Sequence, residues 1–352
     1  MKLRIILLTV LSLFSLNASA AFTFKANHPS SQPITQLTGF NGGVYAGHDS
    51  SGTFPIYRFE PTTNQHVLEH TLNAGKAERV RTLSNRLVVL GNQPNGDVMS
   101  VRDVNGNWTT LLEADVNNYY FYPTLSNFKD VSVAATSPSP AFNIIANDLV
   151  HNQAMVDLVY RLGQPLSIGN GSYGGGIYGC TIVKSPYIRG FYDHSLLTVD
   201  VTDQTCSPIY QYGQFTIPPL NFPGAYYSTF AATTSPIVES VTAQKWAFTQ
   251  QGDYLYKHQF SIDYAQPVLT YPFPIYDVIE YRQRVVVLRT DGNVCYSTNT
   301  QQWNCFDQAP SSARQLAIEG NSIYVGTNTS EIWSAPNPLI NLPALQTLIR
   351  VP

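Results

Sequence analysis

The sequence predicts an all-β fold, a β-propeller of about seven (six to seven) four-stranded antiparallel blades. Strand-like runs of β-branched and aromatic residues occur along the whole chain, whereas helical periodicity is nearly absent. These runs recur in pairs that are joined by polar turns. The 23 Gly and 23 Pro residues are spread over the 352 positions, as the many turns of such a fold require.

The repeated unit is an apolar strand, a polar turn and a second, apolar and aromatic strand. Seven copies follow one another: 43–47 with 55–59, 87–91 with 97–101, 142–146 with 156–160, 176–180 with 196–200, 245–249 with 254–257, 285–289 with 293–297, and 322–326 with 331–334. The last three lie about 40 residues apart, which is typical of propeller blades. A blade buries both faces only by stacking on its neighbours. A pair of two-sheet sandwiches is the structural alternative.

Closure of the ring requires a terminal strand. Residues 21–25 read as a strand that could complete the last blade, and residues 345–351 are the alternative. The best helical segment, 147–162, can equally be two strands joined by a turn at 151–152.

The N-terminal segment has the pattern of a secretory signal peptide. Lys2 and Arg4 precede an apolar run over 5–16, and Ala18-Ser19-Ala20 forms the cleavage pattern. We therefore predict a signal peptide over 1–20, a propeller domain over 21–352, and a secreted or periplasmic protein. No later stretch is long and apolar enough for a membrane span. Removal of the leader leaves 18 basic and 23 acidic residues, a charge that argues against nucleic acid as a partner.

The four cysteines are Cys180, Cys206, Cys295 and Cys305. An even number in an exported chain indicates disulfides, with four free thiols as the alternative. Three pairings are possible. A hairpin that pairs 295 with 305 places 296 opposite 304 and 297 opposite 303, and leaves an allowed three-residue loop. This register favours Cys295–Cys305, and therefore Cys180–Cys206.

Two turns partly match the Ser-x-Asp-x-Gly-x-x-Trp spacing, at Ser297–Trp303 and Ser100–Trp108. Together with the irregular repeats, they make the chain resemble the degenerate β-propellers of exported bacterial proteins, and the turns are similar to the Asp-box turns of sialidase-like propellers. The resemblance covers turns only. It implies a propeller and assigns no catalytic residue.

The segment His66-Val-Leu-Glu-His70 matches the H-x-x-E-H spacing of zinc proteases. That chemistry requires a helix, whereas the repeat places the segment on an outer blade strand, where residues 66 and 70 share a face. Asp103–Asn107 matches part of a calcium loop, but its composition favours a hairpin turn. We predict no metal site, no cofactor and no assignable catalytic residue.

Aromatic segments lie between the strand pairs and combine Tyr with Asn, Gly and Ser. This composition is typical of adaptable recognition surfaces and also suits sugar rings. The candidate ligand-binding residues are Tyr119, Tyr120, Tyr122, Tyr173, Tyr226 and Tyr227. The alternative is that each Tyr packs between blades with its hydroxyl hydrogen-bonded.

Three functions remain open, because β-propellers carry out many different functions. The first is an exported recognition or scaffold module that binds a protein or carbohydrate ligand through one propeller face. The second is a hydrolase or lyase that acts on an extracellular polysaccharide. The third is a structural surface protein without a small ligand. A channel mouth with three or more ionisable residues would favour the enzyme, and one rich in Tyr, Asn and Ser would favour recognition.

Overall fold

Every regular element of the described structure is a β-strand. The computed structural model describes residues 21–343 except 51, 74–75, 84, 93–97, 113–124, 136–140, 149–152, 162–166, 169–177, 181–186, 193–194, 200–205, 209–236, 244–245, 260–267, 298 and 300. No helix in these ranges has the length and apolarity required to cross a membrane.

Strand β1 (Thr23–Asn27) belongs to the last sheet, and the following strands form blades in chain order. Blade 1 contains β2 (Ile34–Phe40), β3 (Gly43–His48), β4 (Phe54–Glu60) and β5 (Gln65–Leu72). Blade 2 contains β6 (Lys76–Leu83), β7 (Arg86–Asn92), β8 (Val98–Arg102) and β9 (Trp108–Leu112). Blade 3 contains β10 (Leu125–Ala135), β11 (Ala141–Asp148), β12 (Gln153–Arg161) and β13 (Ser167–Ile168).

Two two-stranded sheets follow at the fourth position. They pair β14 (Tyr178–Cys180) with β17 (Cys206–Pro208), and β15 (Tyr187–Tyr192) with β16 (Ser195–Val199). Blade 5 contains β18 (Ile237–Ala243), β19 (Trp246–Gln251), β20 (Tyr254–Gln259) and β21 (Val268–Tyr271). Blade 6 contains β22 (Ile275–Tyr281), β23 (Arg284–Arg289), β24 (Asn293–Ser297) and β25 (Trp303–Gln308). Blade 7 contains β26 (Ala313–Glu319), β27 (Ser322–Thr327), β28 (Glu331–Pro336) and β1.

The first strands of successive blades form a closed ring. Each of these strands contacts the next, in the order β2, β6, β10, β15, β18, β22 and β26, and β26 contacts β2. Among the described strands, six sheets are four-stranded, and the β15–β16 pair occupies the fourth position of the ring, between β10 and β18. The predicted all-β propeller is therefore confirmed, and the sandwich alternative is wrong.

Six of the seven predicted strand pairs are the second and third strands of a blade. The fourth pair is wrong: β14 pairs with β17, and the strand at 196–200 pairs instead with β15. The physical reason is proximity along the chain, because β15 and β16 are joined by a short hairpin. The ambiguous segment at 147–162 contains the end of β11 and all of β12, which confirms the interpretation as two strands.

The N-terminal strand closes the ring. Strand β1 pairs antiparallel with β28, with Thr23 opposite Ser334 and Asn27 opposite Glu331. The chain after β28 instead runs towards blade 6, where the Arg284 guanidinium donates to the Pro343 carbonyl at 2.7 Å. Residues 345–351, the alternative closing strand, lie outside the described residues.

The first strand of five blades carries the same irregularity. In blades 1, 5, 6 and 7 the pairing shifts at the second residue of the strand, and in blade 2 it shifts at the third. The residues left out of the ladder are Thr35, Glu78, Val238, Tyr276 and Arg314. A bulge bends the strand and re-aims its side chain. These bulges lie at the end of the ring where each first strand begins, which we call the upper face.

Apolar clusters fill the spaces between blades. Phe54 and Ile56 of blade 1 pack with Val80 and Val89 of blade 2, and similar clusters join blades 5 and 6 and blades 6 and 7. Blades 7 and 1 meet closely at Gly39, where a Cβ would collide with the Ile318 carbonyl. The core is therefore divided among the interfaces between blades.

Candidate recognition surface

Chain topology determines which residues meet at the upper face. Both the connection from one blade to the next and the turn between the second and third strands lie at the end where the first strand begins. In blades 5 to 7 these segments carry aromatic and arginine side chains. They form two stacked pairs and one exposed tyrosine.

The first stacked pair joins Phe273 and Arg289. Phe273 lies in the connection between β21 and β22, and the Arg289 guanidinium carbon is 4.0 Å from its ring centroid. Arg289 also forms an ion pair with Asp291, with Nη2 and Oδ2 2.6 Å apart. Phe273 is 45% exposed, so the pair is held in place while its outer surface faces solvent.

The second stacked pair comes from two bulged positions. The guanidinium carbon of Arg314 lies 4.1 Å from the ring centroid of Tyr276. Nη1 of Arg314 donates to the carbonyls of Ser311 and Ala313 at 2.9 and 2.6 Å. These bonds fix the guanidinium over the ring across the interface between blades 6 and 7.

Tyr254 extends the surface to blade 5. It follows the turn between β19 and β20 and is 41% exposed. The Asp253 carbonyl accepts the Ile275 N–H at 2.7 Å, which ties this turn to the start of blade 6. We define the upper aromatic surface by six residues: Tyr254, Phe273, Tyr276, Arg289, Asp291 and Arg314.

The chemistry of this surface suits recognition. Arginine stacked on an aromatic ring keeps its N–H donors available at the edge of the guanidinium. Aromatic and arginine residues are also those that most often dominate the energy of protein interfaces. Within the described ranges, no group of three His, Cys, Asp or Glu side chains is arranged to hold a metal ion.

The six tyrosines predicted from sequence lie outside the described residues. In the chain they fall between β9 and β10, between β13 and β14, and between β17 and β18. The upper aromatic surface was not predicted from the sequence. The same signal could have found Phe273, because Tyr271-Pro-Phe-Pro274 is also an aromatic segment between strand pairs.

The predicted bond between Cys295 and Cys305 is confirmed. The two residues are opposite each other in β24 and β25, with 296 opposite 304 and 297 opposite 303, as the hairpin register predicted. The ladder of β14 and β17 places Cys180 opposite Cys206. This agrees with the second predicted pairing, and the bond itself stays a prediction.

The expectation that His66 and His70 share a face of the strand is wrong. They do lie on the outer strand β5, but a bulge leaves Glu69 without a partner on β4, so His66 is opposite Phe59 and His70 is opposite Ile56. The extra residue turns the two side chains to opposite faces. His70 stacks on Trp108 of blade 2, with centroids 4.6 Å apart.

The segment 103–107 is the predicted turn. The Asp103 carboxylate accepts the backbone N–H of Asn105 at 2.8 Å and of Asn107 at 2.9 Å, which closes the hairpin between β8 and β9. These hydrogen bonds, the side-chain bond from Asn107 foremost, lower the pKa of Asp103.

Comparison with known proteins gives the fold. No family model matches the chain, and no curated protein matches it. The WD40 domain of Neurospora crassa Pan2 is similar over 91% of this chain and 97% of its own, at 11% identity and a TM-score of 0.52. BBS1N, solved in complex with ARL6DN, is similar over 91% and 98%, at 10% identity and a TM-score of 0.53.

The chain has a β-propeller fold. The likeness at this level of identity concerns the fold alone.

Proposed function

We propose that this propeller is an exported recognition or scaffold module that binds a protein partner through the upper aromatic surface. The observation that carries the proposal is the pair of arginine–aromatic stacks on one face, beside the exposed Tyr254. Propellers are widely used as binding platforms, and BBS1N, a structural neighbour, was itself solved with a protein. Export is proposed from the leader pattern at 1–20 and is supported by the Cys295–Cys305 bond.

The geometry favours protein over carbohydrate. A sugar stacks on a free aromatic face, but here one face of Phe273 and one face of Tyr276 are covered by guanidinium groups. The stacks are instead preorganised to present N–H donors and ring edges, which lowers the entropy lost on binding. Carbohydrate remains the alternative ligand. The hydrolase or lyase hypothesis gains no specific support from the described residues.

The binding test uses substitutions that leave the core intact. We expect Phe273→Ala and Arg314→Ala each to weaken the partner about tenfold or more, as is common at interface hot spots. The partner is captured from the extracellular or periplasmic fraction of the source organism, identified, purified and titrated calorimetrically. Leu68→Ala is the control, since Leu68 is 54% exposed on the outer strand of blade 1.

Two results would contradict the proposal. One is a partner whose affinity is unchanged by both substitutions. The other is a glycan, found on an array, whose binding both substitutions abolish while no protein binds. The second result would show that the upper aromatic surface binds carbohydrate instead of protein.

The export part of the proposal has its own test. Peptide mapping of the secreted or periplasmic protein without reduction should recover Cys295 linked to Cys305, and Cys180 linked to Cys206. An oxidising compartment permits both bonds. Recovery of Cys180 linked to Cys295, or of four free thiols, would contradict the predicted pairing.

A further inference from the structure

Three histidines meet where the ring closes. His28 follows β1, His48 ends β3, and His66 lies on β5. The ring centroid of His28 is 5.0 Å from that of His48 and 5.1 Å from that of His66. His28 and His48 are each only 1% exposed. The cluster therefore lies at the contact between the closing N-terminal segment and blade 1.

The hydrogen bonds of the cluster fit neutral rings. Nδ1 of His48 donates to the Asp49 carbonyl at 2.8 Å. Nδ1 of His28 lies 2.7 Å from the Ser30 hydroxyl oxygen and accepts the Ser30 N–H at 3.3 Å. Nε2 of His28 and both ring nitrogens of His66 are buried without a hydrogen-bond partner. A protonated imidazole needs two acceptors, so the surroundings of His28 and His66 do not satisfy the charged form. His48 has backbone acceptors at Asp49 and Pro55, but its burial still lowers its pKa.

Few charges surround the cluster. The Asp49 carboxylate acts on His48, and the Tyr57 phenol ring lies 5.5 Å from His28 and 6.4 Å from His66. On the remaining sides the described neighbours are apolar rings: Phe54 against His48 and Phe59 against His66. Tyr324 of β27 lies behind Phe59. One carboxylate cannot balance three imidazolium groups.

The titration follows from this burial. Burial, with the fields of His48 and His66, lowers the pKa of His28 to about 3. Burial lowers the pKa of His66 to about 4, and burial lowers the pKa of His48 against the opposing effect of its bond to Asp49. A solvated histidine titrates near about 6.5. The open form therefore binds protons first as pH falls below this value, and acid favours opening.

Strand β1 is an edge strand whose release breaks hydrogen bonds on one side only. It is the outer strand of blade 7 and has hydrogen bonds on one edge only, to β28. Its ladder is interrupted between Phe24 and Ala26. His28 itself is anchored by its N–H to the Ser330 carbonyl at 2.6 Å. Edge elements with few contacts open locally at a free energy well below that of global unfolding.

We propose that His28, His48 and His66 form an acid-sensitive latch that holds β1 against β28 at neutral pH and releases it in a mildly acidic medium. Release hydrates all three imidazoles at once, so their protonation is coupled to one event. Blade 7 keeps its first three strands, the other blades are unchanged, and only the closure of the ring is lost. This inference is independent of the ligand of the upper aromatic surface.

Hydrogen exchange of the unmodified protein tests the latch directly. Between pH 7.5 and pH 5.0, after correction for intrinsic exchange, we expect protection of residues 23–28 to fall at least tenfold, while protection of β22 to β25 is unchanged. The His66→Phe variant removes one titrating group from the seam, so its release midpoint should move at least half a pH unit lower. His70→Phe is the control, because His70 stacks on Trp108 outside the seam.

Three outcomes would overturn the latch: unchanged protection of residues 23–28 at pH 5.0, loss of protection in blade 6 at the same pH, or an equal shift in the His66→Phe and His70→Phe variants. If His66→Phe does not fold, His66→Leu replaces it. The titration of the unmodified protein decides the first two outcomes without any variant.

Discussion

Replacing Glu69 with alanine is expected to destabilise the protein by about 3–5 kcal/mol, the usual loss when a buried ion pair is broken. The Glu69 carboxylate is 2.9 Å from Nε of Arg58 and 2.7 Å from Nε of Arg102, and it accepts the Tyr45 hydroxyl at 3.0 Å. The side chain of Arg102 is only 10% exposed. Without Glu69, the Arg102 guanidinium has no counter-charge between blades 1 and 2, and the Tyr45 hydroxyl has no hydrogen-bond acceptor there.

Denaturant unfolding monitored by tryptophan fluorescence measures this loss. Glu60→Ala is the control, because Glu60 forms an ion pair with Arg58 at 2.6 Å near the surface, where such pairs contribute about 0–1 kcal/mol. An equal effect of the two substitutions would show that the carboxylate of Glu69 has no special role between the blades.

Replacing Phe54 with alanine is expected to destabilise the protein by a similar amount, about 3–5 kcal/mol, because it leaves a cavity that neighbouring strands cannot fill. Phe54 is completely buried between blades 1 and 2, and its ring packs on His48 with centroids 4.6 Å apart. The free energy of unfolding should fall while the slope of the denaturant transition is unchanged.

The matched control for this cavity is Phe273→Ala. Surface substitutions usually change stability by about 0.5 kcal/mol or less, and Phe273 lies on the upper face. A small effect at Phe273 would also show that any loss of partner binding in that variant is not a folding defect. Equal destabilisation at both positions would contradict the placement of the blade core.

The local sequence pattern was sufficient to predict the strands and one disulfide. The alternation of residues in a strand has a period of two, so the spacing of Cys295 and Cys305 determined which residues faced each other across the hairpin. The run Val285–Leu288 was identified as a strand for a similar reason, since a β-branched apolar segment between turn residues suits a strand buried on both faces.

Features that depend on two strands at once were not predictable. The bulge at Glu69 arises from the register between β4 and β5, and it reversed the expected relation of His66 and His70. Likewise, Tyr276 and Arg314 are 38 positions apart and meet only because blades 6 and 7 are adjacent. His28, His48 and His66 do not follow a regular spacing in the sequence. His28 reaches the two histidines of blade 1 only because β1 closes the ring.

The pairing of β1 with β28 also determines the order in which the molecule can fold. Thr23 donates a hydrogen bond to the Ser334 carbonyl across 311 positions of the chain, and contacts between residues so far apart form late because of the entropy of closing the loop. During synthesis β1 emerges first and has no partner until blade 7 has been made. Among the described strands, β1 therefore waits longest for its partner. A chain permuted so that β1 follows Pro336 through a short turn would make this contact local, and we expect it to fold faster to the same ring.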